Sequence, residues 1–506
     1  MTHTVSIATK PLVYQTFRFI NNKVWYALAE YVDNSIQSFL DHKDYLSKIN
    51  PQGKLRVEIT IDNENDIIII SDNAGGIAEN DFQRAFELAN IPLDASGLNE
   101  FGMGMKVSSI WLSNVWKVET SAINESVKKT VVFDIDDVTD NQKVELDVLT
   151  EDCPIDDHYT FITLSCLSQN KPRPMQISHI KKHLASIYTK FIRDNILDLI
   201  VNGERLTFEP LKILNAPYYR TPNASQVLWK KEIDFTAPKF KDGKQVGNYV
   251  AKGFVALLET MSTSENNGFL LFRRGRVIGS SGENKYRPLS LCGQDGSPRY
   301  KRVFGELEIE GFDVSFTKNS FQEDEDFEAF IQVLKDDIVK DKTFDIFGQA
   351  QNYIKPKSPE KKKELGSTLV KKIVEQIKKP ITVDIPTEKP EAKPAAVVEV
   401  PSNVEIAESI TTEVNINGQK FILKIESYTG ENTQNLYSLD IEGNVCCARI
   451  NLRNNFFDQN STDEENMESI SYFIKTLVAT ELSFESDSEP IGLYFRNRFN
   501  KFFGVI

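Results

Sequence analysis

The strongest constraint on this chain is the order of three short segments near its start. AEYVDNS runs from Ala29 to Ser35, IIIISDNAGGI from Ile67 to Ile77, and GLNEFGMGMKVSS from Gly97 to Ser109. The first lies in a run with helical spacing. The second is an apolar strand breaking into a turn of small residues, and the third is a glycine-rich loop that opens a helix. A single glycine-rich loop is common to many unrelated proteins. An acidic-Asn helix, a strand ending in Asp and a glycine-rich loop, in that order, describe one kind of nucleotide pocket.

Trp25 to Leu40 carries Leu28, Tyr31, Val32, Phe39 and Leu40 on a helical stripe. Glu30 and Asn34 are four apart, so they project from one face toward the same point. Asn34 offers magnesium an uncharged oxygen while phosphates and water fill the other positions. Glu30 is then free to take a proton from an attacking water. The competing reading is a solvated polar helix face. Asp72 ends the strand that starts near Asp66, and an ionised Asp only accepts hydrogen bonds, which suits the exocyclic amine of adenine. Gly75 and Gly76 let backbone approach the base, although an ordinary Asp-Asn-Gly turn reads the same way locally. Gly97, Gly102 and Gly104 permit successive N–H groups to turn inward as an anion nest. Lys106 to Leu112 reads as a helix whose N-terminus faces the same phosphates. Lys106 either adds a positive charge there or simply starts the helix. Asn90 to Glu100 is polar and small enough to act as a lid.

These segments resemble the three nucleotide boxes of the GHKL (Bergerat-fold) ATPases: gyrase B, HtpG-type chaperones, histidine kinases and MutL. FGMGMK followed by SSIWLSNVWKVET is most similar to the MORC and prokaryotic MutL-like group. The resemblance implies an ATPase using ATP and magnesium, with Glu30 as general base and Asn34 as magnesium ligand. It makes Asp72 the adenine contact, with Gly76, Gly97, Phe101, Gly102, Met103, Gly104 and Lys106 around the nucleotide. Two departures stand out. Ala74 replaces the first Gly of the family's DxGxG, and Tyr159-Thr160 replaces a Gly-Thr pair, leaving Thr160 to bond the adenine side.

The implied fold is α+β: a GHKL sandwich of a mixed sheet with helices on one face over residues 1–210, then a transducer-like α/β domain over 211–353. Lys182 to Asn195 reads as a helix and Leu197 to Phe208 as a hairpin. Strand patterns follow at Val246–Thr260, Gly268–Ile278 and Phe304–Phe316. Transducer domains present a lysine to the terminal phosphate, and the loop FTKNSF nominates Lys318 as a catalytic residue; an exposed turn lysine is the plain alternative. Residues 354–402 read as a Lys/Pro-rich linker with a short amphipathic helix at Leu365–Ile377. Residues 403–506 read as a small α+β interaction domain, with a hairpin around Asn417-Gly418, further strands, a helix over Glu465–Leu482 and an aromatic-basic tail from Tyr494 to Phe503.

A chain of 506 residues is too long for one core. No apolar run approaches the roughly 20 residues that span a bilayer, the N-terminus lacks a leader pattern, and the five cysteines show no metal-ligand or disulfide spacing. A cytoplasmic protein without a membrane is the expectation. A net charge of −14 argues against indiscriminate nucleic-acid binding. Local islands qualify this: Arg273, Arg274, Arg276, Arg299, Lys301 and Arg302 could neutralise DNA phosphates, as could the lysines of 355–379, or either set could be solvated loops. The leading reading is an ATP-gated homodimeric clamp of MutL/MORC type on DNA or a DNA-bound partner, exchanging an arm over Thr4–Asn22, with a further protein partner at the C-terminal domain. Restriction-linked or anti-phage defence follows by family analogy only. An HtpG-like chaperone is the alternative. A histidine kinase fits less well, because none of the five histidines sits in a helical hairpin ahead of the boxes.

Overall fold

The computed structural model describes residues 10–50, 53–90, 97–100, 102–222, 224–315, 317–322, 325–355, 359–377, 405–416, 419–429, 435–454, 456–457 and 464–483. It forms two compact units, Met1–Tyr353 and Ile354–Ile506.

The first unit opens on an eight-stranded sheet. Its order is Val148–Asp152, Val127–Asp134, Ser113–Ser121, Tyr159–Leu167, Ile67–Asp72, Leu55–Asp62, Leu197–Val201 and Glu204–Arg205. Neighbours are antiparallel except Leu55–Asp62 beside Leu197–Val201, so the sheet is mixed. Leu55, Val57, Ile59 and Ile61 are buried in alternation, as a strand with one covered face requires. The Ile67–Asp72 strand follows the same rule: Ile68 and Ile70 are buried while Ile67 and Ile69 are half-buried. Helices Val24–Asp41, Gly104–Leu112 and Ile177–Ile187 bury Leu28, Ile36, Ile110, Leu184 and Ile187 in the core that includes these strands.

Lys10–Asn22, the described part of the expected exchange arm, folds against its own unit. Tyr14 meets Phe133 edge-on at 5.1 Å, and the Trp111 indole N–H donates to the Ile20 carbonyl at 2.9 Å. Phe19 is left 80% exposed.

The same unit continues into a five-stranded sheet ordered Lys230–Lys241, Lys244–Leu257, Val303–Glu310, Gly268–Arg273, Arg276–Val277. One face packs Val255, Phe269, Leu271 and Leu307 against helices Glu325–Ile338 and Ile346–Asn352.

In the second unit a four-stranded sheet, ordered Glu405–Ile416, Gln419–Thr429, Val445–Asn451 and Tyr437–Glu442, packs with helices Pro359–Ile377 and Glu464–Ser483. Over Pro359–Ile377 this corrects the reading of 354–402 as a linker. Leu365, Leu369, Val370, Ile373 and Val374 form a helical stripe buried with Phe421, Leu423 and Ile425, while Lys361 and Lys371 stay exposed. The lysine runs that suggested a spacer are the outer face of a core helix. Residues 378–404, the Asn417-Gly418 turn and the tail Tyr494–Phe503 lie outside the described residues. Among the described residues, no helix is long and apolar enough to cross a membrane.

Candidate functional site

Helix Val24–Asp41, the end of strand Ile67–Asp72 and the start of helix Gly104–Leu112 converge on one cavity. It is lined by Glu30, Asn34, Asp72, Gly76, Gly102, Met103, Gly104, Lys106, Thr160 and Lys318. The two helices are tied together by the Tyr31 and Ser109 hydroxyls at 2.9 Å. Register places Thr160 directly opposite Asp72 on the neighbouring strand.

Asp72 receives the Ser35 hydroxyl at 2.7 Å and the Ala74 N–H at 2.9 Å. Burial raises its pKa, against the pull of those donors and of the Thr160 backbone N–H. The two glycine positions of the motif differ in kind. Ala74 is buried and does not have a positive φ, so its methyl is accommodated. Gly76 has φ +72°, and a Cβ there would lie 1.9 Å from the Ser121 carbonyl oxygen. Gly104 is required for another reason: its Cβ would lie 1.9 Å from Glu30 Oε2. The glycine-rich loop therefore presses bare backbone against the Glu30 carboxylate.

Lys318 arrives from the loop after the five-stranded sheet and is 5% exposed. Its ammonium donates to Glu30 Oε2 at 3.1 Å and to Asp33 Oδ2 at 2.8 Å. Asp33 is the residue that sequence reasoning passed over. It is fully buried, and it also accepts from Arg276 Nε at 3.0 Å and from the Tyr188 hydroxyl at 2.7 Å. Arg276 Nη1 in turn donates to the Lys318 carbonyl at 3.3 Å. That bond helps hold Lys318 at φ +51°, a conformation costing a non-glycine residue roughly 1–3 kcal/mol. One signal was available: Asp33 falls on the apolar face of Ala29, Val32 and Ile36, where a charge needs a partner.

The two carboxylates beside Lys318 titrate in opposite directions. Burial would raise both. Arg276 and then Lys318 outweigh it at Asp33, whose pKa falls below the usual value. At Glu30 burial wins over Lys318, and the Asp33 charge adds to the rise. Glu30 Oε1 is buried with no hydrogen-bond partner among the described residues. A carboxyl raised in this way is tuned toward a general base working near neutrality. The acid limb of kcat/KM for ATP turnover, which reports the free enzyme, is therefore expected above the ordinary Glu value of about 4.3, with activity lost as pH falls through it. A limb at or below that value would detach the rate from Glu30.

Other nominated residues separate from one another. Lys106 is 4% exposed, its ammonium donates to the Arg84 carbonyl at 3.1 Å, and burial first, then Arg84, lowers its pKa to about 8. It is a wall residue of the cavity. Gly97 is not among the lining residues; it packs against the Gln37 amide, and its carbonyl accepts from Arg274. Phe101 and residues 91–96 of the expected lid lie outside the described residues.

The arginine cluster expected to meet DNA is largely engaged in internal contacts. Arg276 is fully buried on Asp33, and Arg302 is 4% exposed over the Tyr353 ring. Arg299 donates to the Leu291 and Ser290 carbonyls and covers Phe347. Arg273 and Arg274 pair with Glu100, just before the phosphate loop, at 3.3 and 2.7 Å. Lys301 is half-buried. Neighbouring charges on a strand and turn point to different faces, so proximity in sequence did not make a patch.

The cavity suits a magnesium–nucleotide. Asn34, which can offer a neutral oxygen, and Glu30, whose Oε1 has no partner among the described residues, both line it, and hard oxygen donors are what magnesium takes. Residues 22–160 match the family model of the histidine kinase-, DNA gyrase B- and HSP90-like ATPases. This part of the chain is similar to the ATP-binding domains of that class, for which ATP hydrolysis is the associated activity. No curated protein sequence matches the chain.

Proposed function

We propose that the chain is an ATP-gated dimeric clamp of MutL/MORC type, with magnesium-ATP bound by the first sheet and its helices and read by the Lys318 loop of the second. The observation that carries this reading is Lys318 itself, which reaches from the five-stranded sheet's side into the first cavity and touches Glu30. Asp72 and Thr160 would hold the adenine, and the backbone of Gly102 to Gly104 the phosphates. Magnesium, held by Asn34 and phosphate oxygens, would neutralise phosphate charge. Glu30 would orient water and accept its proton. Lys is suited to sensing the terminal phosphate as a point charge on a long stem. Its ammonium sits on Glu30, so moving to a terminal phosphate would free the base as it reports ATP.

Lys318→Ala is expected to keep nucleotide affinity within a small factor while losing most hydrolysis and all ATP-specific closure. The readouts are the steady-state ATPase rate and the mass by light scattering with a non-hydrolysable analogue. Normal closure and turnover in that variant would sink the sensor role. The clamp reading further expects nucleotide-dependent dimerisation, weakened by removing the residues before Asn22, and turnover stimulated by DNA. Its DNA-facing surface would exclude buried Arg276 and Arg302. Suppressed aggregation of unfolded clients with no response to DNA would favour the chaperone reading.

A further inference from the structure

The five-stranded sheet has a second apolar face. Val255 and Leu257 point into the helix-covered core, whereas Phe254 and Ala256, which alternate with them, belong to a separate small cluster with Leu258 and Phe304. Alternation along the strand puts that cluster on the opposite side of the sheet. There the sheet faces helices Ile177–Ile187 and Thr189–Arg193 across a cavity of about 320 Å³, which does not share a lining residue with the nucleotide site. Its apolar wall is Phe254, Phe304, Leu270, Leu211 and Ile213.

Four cations line this space, and three have carboxylates. Arg193 holds Glu306 at 2.9 Å, Lys182 holds Glu265 at 2.6 Å and Lys230 holds Glu232 at 2.6 Å. The fourth, Lys285, accepts from Arg287 through its backbone carbonyl, while its ammonium has no hydrogen bond or ion pair with any described residue. Burial lowers its pKa to about 8, and the carboxylate that pulls against this shift, Glu306, already belongs to Arg193. Lys285 is half-buried; an ammonium so placed without a partner among the described residues carries a desolvation cost, and it stays charged at neutral pH. An anion seated against it would relieve that cost, and an apolar tail would fill the wall behind it. The volume is in the range of small-ligand sites, which join an apolar lining to a few placed polar groups.

We propose that this cavity binds a small organic monoanion, a carboxylate with an aromatic or branched apolar tail, whose charge meets Lys285 and whose tail packs on Phe254, Phe304 and Leu270. The site is independent of the ATPase reading. It is placed to influence it nonetheless: strand Gly268–Arg273 borders the cavity through Gly268 and Leu270, and leads within a few residues to Arg276 on Asp33.

Phenylacetate and its neutral amide, phenylacetamide, are suitable probes, titrated into the full chain with saturating ADP present and read by thermal shift. Phenylacetate should raise Tm in a concentration-dependent way and bind at least roughly tenfold tighter than the amide, as expected when a charged hydrogen bond is the difference. Lys285→Met, which keeps the stem and removes the charge, should abolish that preference, and Lys285→Arg should retain it. Equal binding of acid and amide, no shift with either, or an unchanged preference in Lys285→Met would each overturn the proposal. The comparison of acid and amide needs no variant, so misfolding of a mutant does not decide it. Loss of ATP hydrolysis leaves these readouts untouched, so the two readings fail separately.

Discussion

Glu30→Gln is expected to slow ATP turnover by about 10²–10⁴, the usual contribution of a positioned general base, while nucleotide binding changes little. The side chain is 9% exposed, lies against the bare backbone of Gly104 and has one oxygen without a partner among the described residues, the placement a base acting on a water in the cavity requires. The amide preserves shape and removes basicity, which separates chemistry from packing. Asn34→Ala should show the complementary defect, weaker magnesium–nucleotide binding, because a ligand oxygen is lost. Single-turnover hydrolysis and equilibrium binding of a fluorescent ATP analogue, measured on both variants, distinguish the two roles. Wild-type turnover by Glu30→Gln would remove Glu30 from the mechanism.

Asp33→Ala should destabilise the first unit by about 3–5 kcal/mol, the scale for removing one partner of a buried ion pair. The variant strands Arg276, which is fully buried, and takes from Lys318 its shorter contact at 2.8 Å. All four tryptophans, Trp25, Trp111, Trp116 and Trp229, lie in that unit, so urea unfolding followed by their fluorescence reports it. Asp33→Ala combined with Arg276→Met should recover part of the loss, because no charge is then left unpaired. The pH dependence has a fixed sign. A carboxylate held below its unfolded pKa of about 3.9 contributes stability that is complete above that value and is lost as pH falls through the lower folded one. An unchanged urea midpoint for Asp33→Ala would show that the cluster contributes no stability.

The local periodicities of this chain were legible because they depend on neighbours a few residues apart. The spacing of Glu30 and Asn34 describes one helix face, and the helix runs from Val24 to Asp41. The isoleucines before Asp72 describe a strand, and the strand spans Ile67–Asp72. The family match over residues 22–160 agrees with the resemblance drawn from those same segments. What periodicity could not show was which distant residue meets which. Asp33 and Arg276 are 243 residues apart, and Asp33 and Lys318 are 285 apart. No local pattern encodes such pairs; they exist only when the second sheet packs against the helix that carries Glu30. Burial reversed the meaning of charge in the same way. Arg276 looked like one of a run of exposed arginines, and the lysines of Pro359–Ile377 looked like a spacer. The tertiary structure turned the first inward to neutralise Asp33 and made the second the solvated side of a core helix. Sequence alone determined the helix that carries Glu30 and Asn34 and the strand that ends in Asp72. Packing decided which charges share the cavity, because a charge's role depends on what lies across from it rather than on what precedes it.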